Sequence, residues 1–261
     1  MEDKIRILFL SANPWTTSRI LVDKEAREIF ERLEEGKHRD RFELIKHTAI
    51  RPGDLQRLLM KHEPHIVHFS GHGSKAKKLI LEGSPGRGKQ IDPQGLVDVF
   101  SLYSAHIRLV VLNACFTQQQ AAAITGMIDY SIGISRAIGD RAGVIFAGAF
   151  YRALGFGKSV PVAFASARAE LKLTKTPRAR GIELFIRNGM GQSRALRRPE
   201  TSDSRELAAS LTTVPNGLRV ARQRSRSATV SAETFTHTRK RVEGRTRILE
   251  TSTRSYFRFQ F

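Results

Sequence analysis

The chain has 261 residues, a hydrophobic share of 40% and a formal net charge of +19, which allows one sizeable core with an appendage but leaves little room for two full domains of ~100–200 residues each. Its apolar runs are short and interrupted, as by Arg152, which excludes a membrane span; the run from Ile5 to Leu10 contains Arg6 and lacks a cleavage pattern, so no secretory signal and a cytoplasmic location are expected. One cysteine excludes an intramolecular disulfide and a cysteine-cluster zinc site, leaving Cys115 as either a small buried hydrophobe or a reagent.

Ile5–Leu10 reads as a strand ended by Asn13-Pro14, and the helix after it carries Val22, Ala26, Ile29, Phe30 and Leu33 on one stripe. Phe42–His47 alternates as a second strand, and Arg51-Pro52-Gly53-Asp54 opens a helix with Leu55, Leu58 and Leu59 that Pro64 stops. His65–Ser70 is a third strand and Lys78–Glu82 a short extra one. Gly83 to Gln90 nearly spells a phosphate-binding loop, but Gln90 replaces the magnesium-binding Ser/Thr and no helix follows at once, so it reads as a hairpin or surface loop. Asp92-Pro93 caps and opens a helix over Gln94–Tyr103. Ile107–Asn113 is almost wholly apolar, as a central parallel strand buried on both faces would be. A helix over 118–127, a strand Tyr130–Ser135, a helical stretch over 141–173 and a last strand Ile182–Arg187 complete the pattern. This alternation predicts an α/β fold, a mostly parallel sheet flanked by helices on both faces.

Composition changes near Asn188. Residues 1–187 hold 29 Lys+Arg and 19 Asp+Glu, net +10, whereas residues 188–261 hold 15 and 6, net +9, with 14 of the 15 cations Arg. Those 74 residues include only 22 apolar side chains against 19 Ser/Thr, too few to offset the entropy of ordering. Two regions are therefore expected, a folded domain over 1–189 and a disordered basic tail over 190–261.

In parallel α/β sheets, binding groups collect where strands end at their carboxyl edge. There the third strand runs into Ser70-Gly71-His72-Gly73 and the fourth into Asn113-Ala114-Cys115-Phe116, on strands expected to be neighbours. A nucleophilic cysteine needs a base or cation to form thiolate, and its intermediate needs backbone N–H donors, which a glycine after the histidine can supply unobstructed. His65 points away from His68 and His72 along a strand, and no acidic or cysteine ligand stands at a metal-binding spacing, so no metal and no cofactor are expected. His68 reads as a hydrogen-bonded residue beneath the site.

The motifs ILFLSANP (7–14), Val22-Asp23-Lys24-Glu25 with Arg27-Glu28, RPGDLQ (51–56), IVHFSGHG (66–73), VVLNACF (110–116), IGISRAIGDRAG (132–143) and AFYRALGFGKSV (149–160) resemble, in order, those of the CHAT family of caspase-like cysteine peptidases. The likeness extends over about residues 3–187. It implies a caspase-hemoglobinase fold and a cysteine endopeptidase in bacterial signalling or defence, with His72 matching the catalytic histidine, Cys115 the nucleophile, and the N–H groups of Gly73 and Cys115 the oxyanion hole. No sensor or repeat domain is expected before Met1, and a protein substrate and a separate sensor or activator are the expected partners. The basic tail over 190–261 adds nucleic acid as a further one, and an idle CHAT-like scaffold or a nucleic-acid-binding module is the rival reading. Asn113 and Ser70 are candidates for the floor of the substrate site, with buried hydrogen bonding as their ordinary role. Asp140, beyond the carboxyl end of the fifth strand, is a candidate to read a basic substrate side chain, unless it caps the next helix or pairs with Arg136 or Arg141. Arg136 in the same pocket would instead favour acidic or neutral residues. Asp129 lies at the opposite end of that strand.

Overall fold

A computed structural model of the chain describes residues 4–188 and the two segments 232–243 and 246–257. In chain order the elements are β1 (Ile5–Ser11), α1 (Val22–Glu34), β2 (Phe42–His47), α2 (Pro52–His62), β3 (Ile66–Ser70), β4 (His72–Gly73), β5 (Leu79–Glu82), β6 (Gly88–Gln90), α3 (Pro93–Leu102), β7 (Leu109–Asn113), α4 (Gln118–Ile124), β8 (Tyr130–Ile134), α5 (Asp140–Gly155), α6 (Val160–Leu173) and β9 (Ile182–Ile186). The main sheet has the order β2-β1-β3-β7-β8-β9, parallel throughout except for β9, which pairs antiparallel with β8. A small antiparallel sheet, β4-β5-β6, branches from the end of β3.

Alternation along β1 shows how one strand serves two cores. Ile7 and Phe9 pack with α1, α5 and α6 on one face, and Leu8 and Leu10 with α2, α3 and α4 on the other. Local chemistry sets the helix starts: the Asp92 carboxylate accepts from Gly95 N–H at 2.9 Å, and prolines open α2 and α3. The helical stretch expected over 141–173 is two helices. Gly157, at φ +75°, turns the chain between them, and Ser159 with Pro161 restarts it. Among the described residues no helix is long and apolar enough to cross a membrane.

On α1 the expected stripe needs correction. Val22, Ala26, Ile29 and Leu33 are buried, but Phe30 is 53% exposed and Glu25 is buried in its place. At 100° per residue both positions flank the stripe at about 70° from its centre. Periodicity cannot separate them, and the polar groups awaiting Glu25 under the sheet's carboxyl edge do.

By contact the chain divides into two units, Met1–Ser204 and Arg205–Phe261. Within the second, β10 (Ala232–Glu243) and β11 (Thr246–Phe257) form an antiparallel pair from Thr-rich segments of good strand propensity. The rest of the tail expected over 190–261 lies outside the described residues.

At the opposite edge from the strand ends, His65 is 5% exposed and its Nδ1 accepts the Arg6 N–H at 3.1 Å, a contact that needs the neutral ring. Burial, reinforced by Arg6, His106 and Arg108, pushes its pKa down to about 4. Unfolded, the ring takes its proton near pH ~6.5. Between those values the unfolded chain binds the extra proton, so stability is full above the upper value, falls as the pH drops toward the lower and levels off below it, a loss of up to ~3 kcal/mol. His65→Asn, which keeps an acceptor for Arg6 without a titrating ring, is expected to flatten that decline in urea unfolding measured across the window. Equal slopes in the two proteins would refute it.

Candidate functional site

The two loops that leave β3 and β7 run side by side because those strands are neighbours in register, Ser70 opposite Asn113. Gly71 N–H donates to the Asn113 carbonyl at 3.3 Å. The first loop passes at once into β4, where His72 pairs with Ile80 and Gly73 with Leu79. The second turns sharply: Thr117, fully buried, donates its hydroxyl to the carbonyls of Leu112 at 3.0 Å and Ala114 at 2.8 Å and accepts Ile134 N–H at 3.1 Å. Phe116, at φ +62°, adopts the left-handed conformation, which costs a bulky residue roughly 1–2 kcal/mol. That turn delivers the partly exposed Cys115 beside β4.

How closely the loops meet is visible at Gly73. A Cβ there would overlap the Cys115 carbonyl and stand 3.2 Å from the Cys115 nitrogen. Only glycine lets the two backbones approach this far.

Around them lies a cleft of about 200 Å³ lined by Ser70, His72, Gly73, Asn113, Cys115 and Asp140, with Glu25 and Ser18 and with apolar walls from Ile20, Leu21, Val22, Ile134, Ile138 and Val144. Burial lowers the His72 pKa, while the Ser18 backbone and the Asp140 carboxylate push it back up. The ring is therefore neutral at neutral pH, and its buried Nε2 has no hydrogen-bond partner among the described residues. An imidazole so placed can exchange a proton with a group that enters the cleft.

Six of the seven candidate residues line this cleft; Arg136 does not, and its exposed side chain packs instead across Gly181. Asp140 lies in the first turn of α5 behind the N-cap Gly139 and makes no ion pair with a described residue, so neither the capping role nor pairing with Arg136 or Arg141 holds it. Ser70 and Asn113 turn their donors downward to Glu25. Asp129 is buried at the far end of β8, paired with Arg108 at 3.2 Å and Arg187 at 2.6 Å, as strand polarity predicts.

Glu25 is the residue that sequence reasoning passed over. Its side chain is 5% exposed, and it accepts from His68 Nε2 at 2.7 Å, Ser70 Oγ at 2.7 Å and Asn113 Nδ2 at 2.6 Å. His68, buried beneath the site as expected, bonds to the Tyr151 hydroxyl through Nδ1 at 3.1 Å and stacks on Phe9. Its one signal in the sequence is its place in the motif Val22-Asp23-Lys24-Glu25, because periodicity leaves it at the margin of the apolar stripe.

Together these features define a class: an α/β protein, its mostly parallel sheet covered by helices on both faces, that brings a histidine and a cysteine from adjacent strands into one cleft at the carboxyl edge. The profile of the CHAT domain matches residues 13–204, and the chain belongs to that family. A protein named Roc-COR-CHAT protease, from an unknown prokaryotic organism, is 29% identical over 179 residues, 66% of this chain and 17% of that protein. A probable protease of Gillisia limnaea is 24% identical over 153 residues, 57% of this chain and 26% of its own. The chain thus spans only about a sixth to a quarter of the relatives it matches. Among solved structures it is similar to a secreted C11 cysteine protease from Bacteroides thetaiotaomicron bound to an irreversible peptide inhibitor (TM-score 0.46, 15% identity, 66% of this chain and 60% of that one). It is also similar to the Arg-specific cysteine proteinase gingipain R (TM-score 0.49, 12% identity, 75% and 49%).

Proposed function

We propose that the chain is a cysteine endopeptidase working through His72 and Cys115. The observation that carries this reading is the backbone contact of Gly73 with Cys115 inside the cleft that both reactive side chains line. His72 takes the Cys115 proton as Sγ adds to the scissile carbonyl carbon, and the carbonyl π electrons move onto oxygen. The N–H groups of Gly73 and Cys115 donate to that oxyanion. On collapse the C–N bond breaks, the imidazolium protonates the departing amine, and water then hydrolyses the thioester, returning the proton to the thiol. A protein substrate follows from the endopeptidase reading, the name Roc-COR-CHAT protease of one relative supports a proteolytic role for the CHAT unit, and a sensor or activator protein and a cytoplasmic signalling or defence setting belong to the same proposal. Mass spectrometry of proteins cleaved by the wild type and by Cys115→Ala tests the reading: new termini that appear equally with both would overturn it.

Within this reading Asp140 favours a basic side chain in the substrate. The carboxylate is exposed, so water screens the contact and its worth is ~0.2–1 kcal/mol, a preference of about 1.4–5-fold. Asp140→Asn is expected to erase that preference in a peptide-library profile. It also removes a charge that raises the His72 pKa, so the acid limb of kcat/KM, which follows the neutral base and which burial already holds below the ordinary histidine value, moves to still lower pH. A basic preference that survives the substitution, or an acid limb that moves upward, would exclude the role.

A further inference from the structure

The structure assigns Glu25 the part of a positioning residue that holds the two reactive loops against each other, an inference that rests on the peptidase reading. Ser70 stands two residues before His72 and Asn113 two before Cys115. Both donate to the same buried carboxylate, Ser70 to Oε2 and Asn113 to Oε1, so one side chain of α1 ties together the ends of β3 and β7. Its Oε1 is shared with His68 Nε2, and His68 continues through Nδ1 to the Tyr151 hydroxyl on α5, which anchors the carboxylate from the side opposite the cleft.

An ionised carboxylate is suited to this because it is acceptor-only and offers about four lone-pair directions to three donors. A buried charge is tolerated when it is so satisfied, and each bond to it is shorter and stronger than a neutral one. The bonds to Glu25 add a fixed point at the two strand ends, next to the close approach of Gly73 to Cys115, where a misplacement of ~1 Å between reacting groups can cost ~100-fold in rate. Glu25 lines the floor of the cleft yet has its oxygens occupied by the protein, which separates it from groups that meet substrate.

The test reads the coupling of His72 to Cys115 without a substrate. The rate of Cys115 alkylation by iodoacetamide at neutral pH is measured in the wild type and in His72→Ala, then in Glu25→Gln with and without His72→Ala, alongside the thermal midpoint of each. His72→Ala is expected to slow alkylation ~10-fold or more in the wild-type background and less than ~2-fold in the Glu25→Gln background. Pairing Glu25→Gln with Asn113→Asp, which exchanges donor and acceptor across that bond, is expected to restore part of the dependence. A merely stabilising residue would lower the midpoint and leave the coupling intact. His72 dependence that survives in folded Glu25→Gln overturns the role of Glu25 alone, whereas its absence from the wild type overturns the peptidase pair and this inference with it. If Glu25→Gln does not fold, Ser70→Ala, which removes one of the three donors, takes its place, and full His72 dependence there has the same consequence.

Discussion

Cys115→Ala and His72→Ala are each expected to lower kcat/KM by at least ~1,000-fold, and the double substitution to lower it no further than the more damaging single one. In the proposed mechanism Cys115 supplies the atom that bonds to substrate, so its loss would leave only a cleft that binds and polarises the carbonyl. In the same mechanism His72 handles the proton in both half-reactions, so its loss would strand the thiol protonated and the amine without an acid. Two groups that act in one proton transfer cannot contribute independently. Neither substitution should cost much stability, because both side chains are partly exposed and His72→Ala gives up one hydrogen bond, to the Ser18 backbone, while the Nε2 surrenders none. Thermal unfolding within a few degrees of the wild type is therefore part of the expected result, and a chelator should leave the wild type unchanged. Substantial cleavage by either folded variant would refute the pair.

Gly73→Ala should be almost as damaging by a different route. Its single methyl group would occupy the space of the Cys115 carbonyl oxygen, and the obstacle is backbone rather than the end of a flexible side chain. Neither strand can yield easily: Gly73 is held by its pairing with Leu79, and the Cys115 turn is held by the buried Thr117 hydroxyl. Separating the loops moves an oxyanion donor away from the carbonyl, and loss of one such donor costs ~100–1,000-fold in kcat. The forced backbone shift should also destabilise the domain by ~1–3 kcal/mol. Single-turnover rates on a peptide substrate with urea midpoints measured in parallel would check both parts. An active, fully stable Gly73→Ala protein would show that the two backbones are not in contact during turnover.

Much of this was legible from residues alone, and for reasons of two different kinds. The two-residue period of Phe42–His47, the unbroken apolar run of Ile107–Asn113 and the Asp92-Pro93 helix start express local preferences, and each reappears within a residue or two as β2, β7 and α3. His72 and Cys115 could be placed at neighbouring strand ends because parallel sheets put every carboxyl terminus on one edge. Strand order, the antiparallel sense of β9, and the break between α5 and α6 depended on how those elements pack, and chain-local patterns do not encode that. The burial of Glu25 rather than Phe30 is the clearest case. On the helix the two positions are equivalent by angle, and hydropathy alone chooses the phenylalanine; only in the folded domain do His68, Ser70 and Asn113, from strands 43 to 88 residues away, converge on one carboxylate and make its burial favourable. Arg136 shows the converse, a charge near the site in sequence that the path of the chain toward Gly181 draws out of the cleft. Residue type and spacing determined which groups could do chemistry here, while tertiary packing decided which polar groups lie under the site, because burying a charge is favourable only where distant donors meet it.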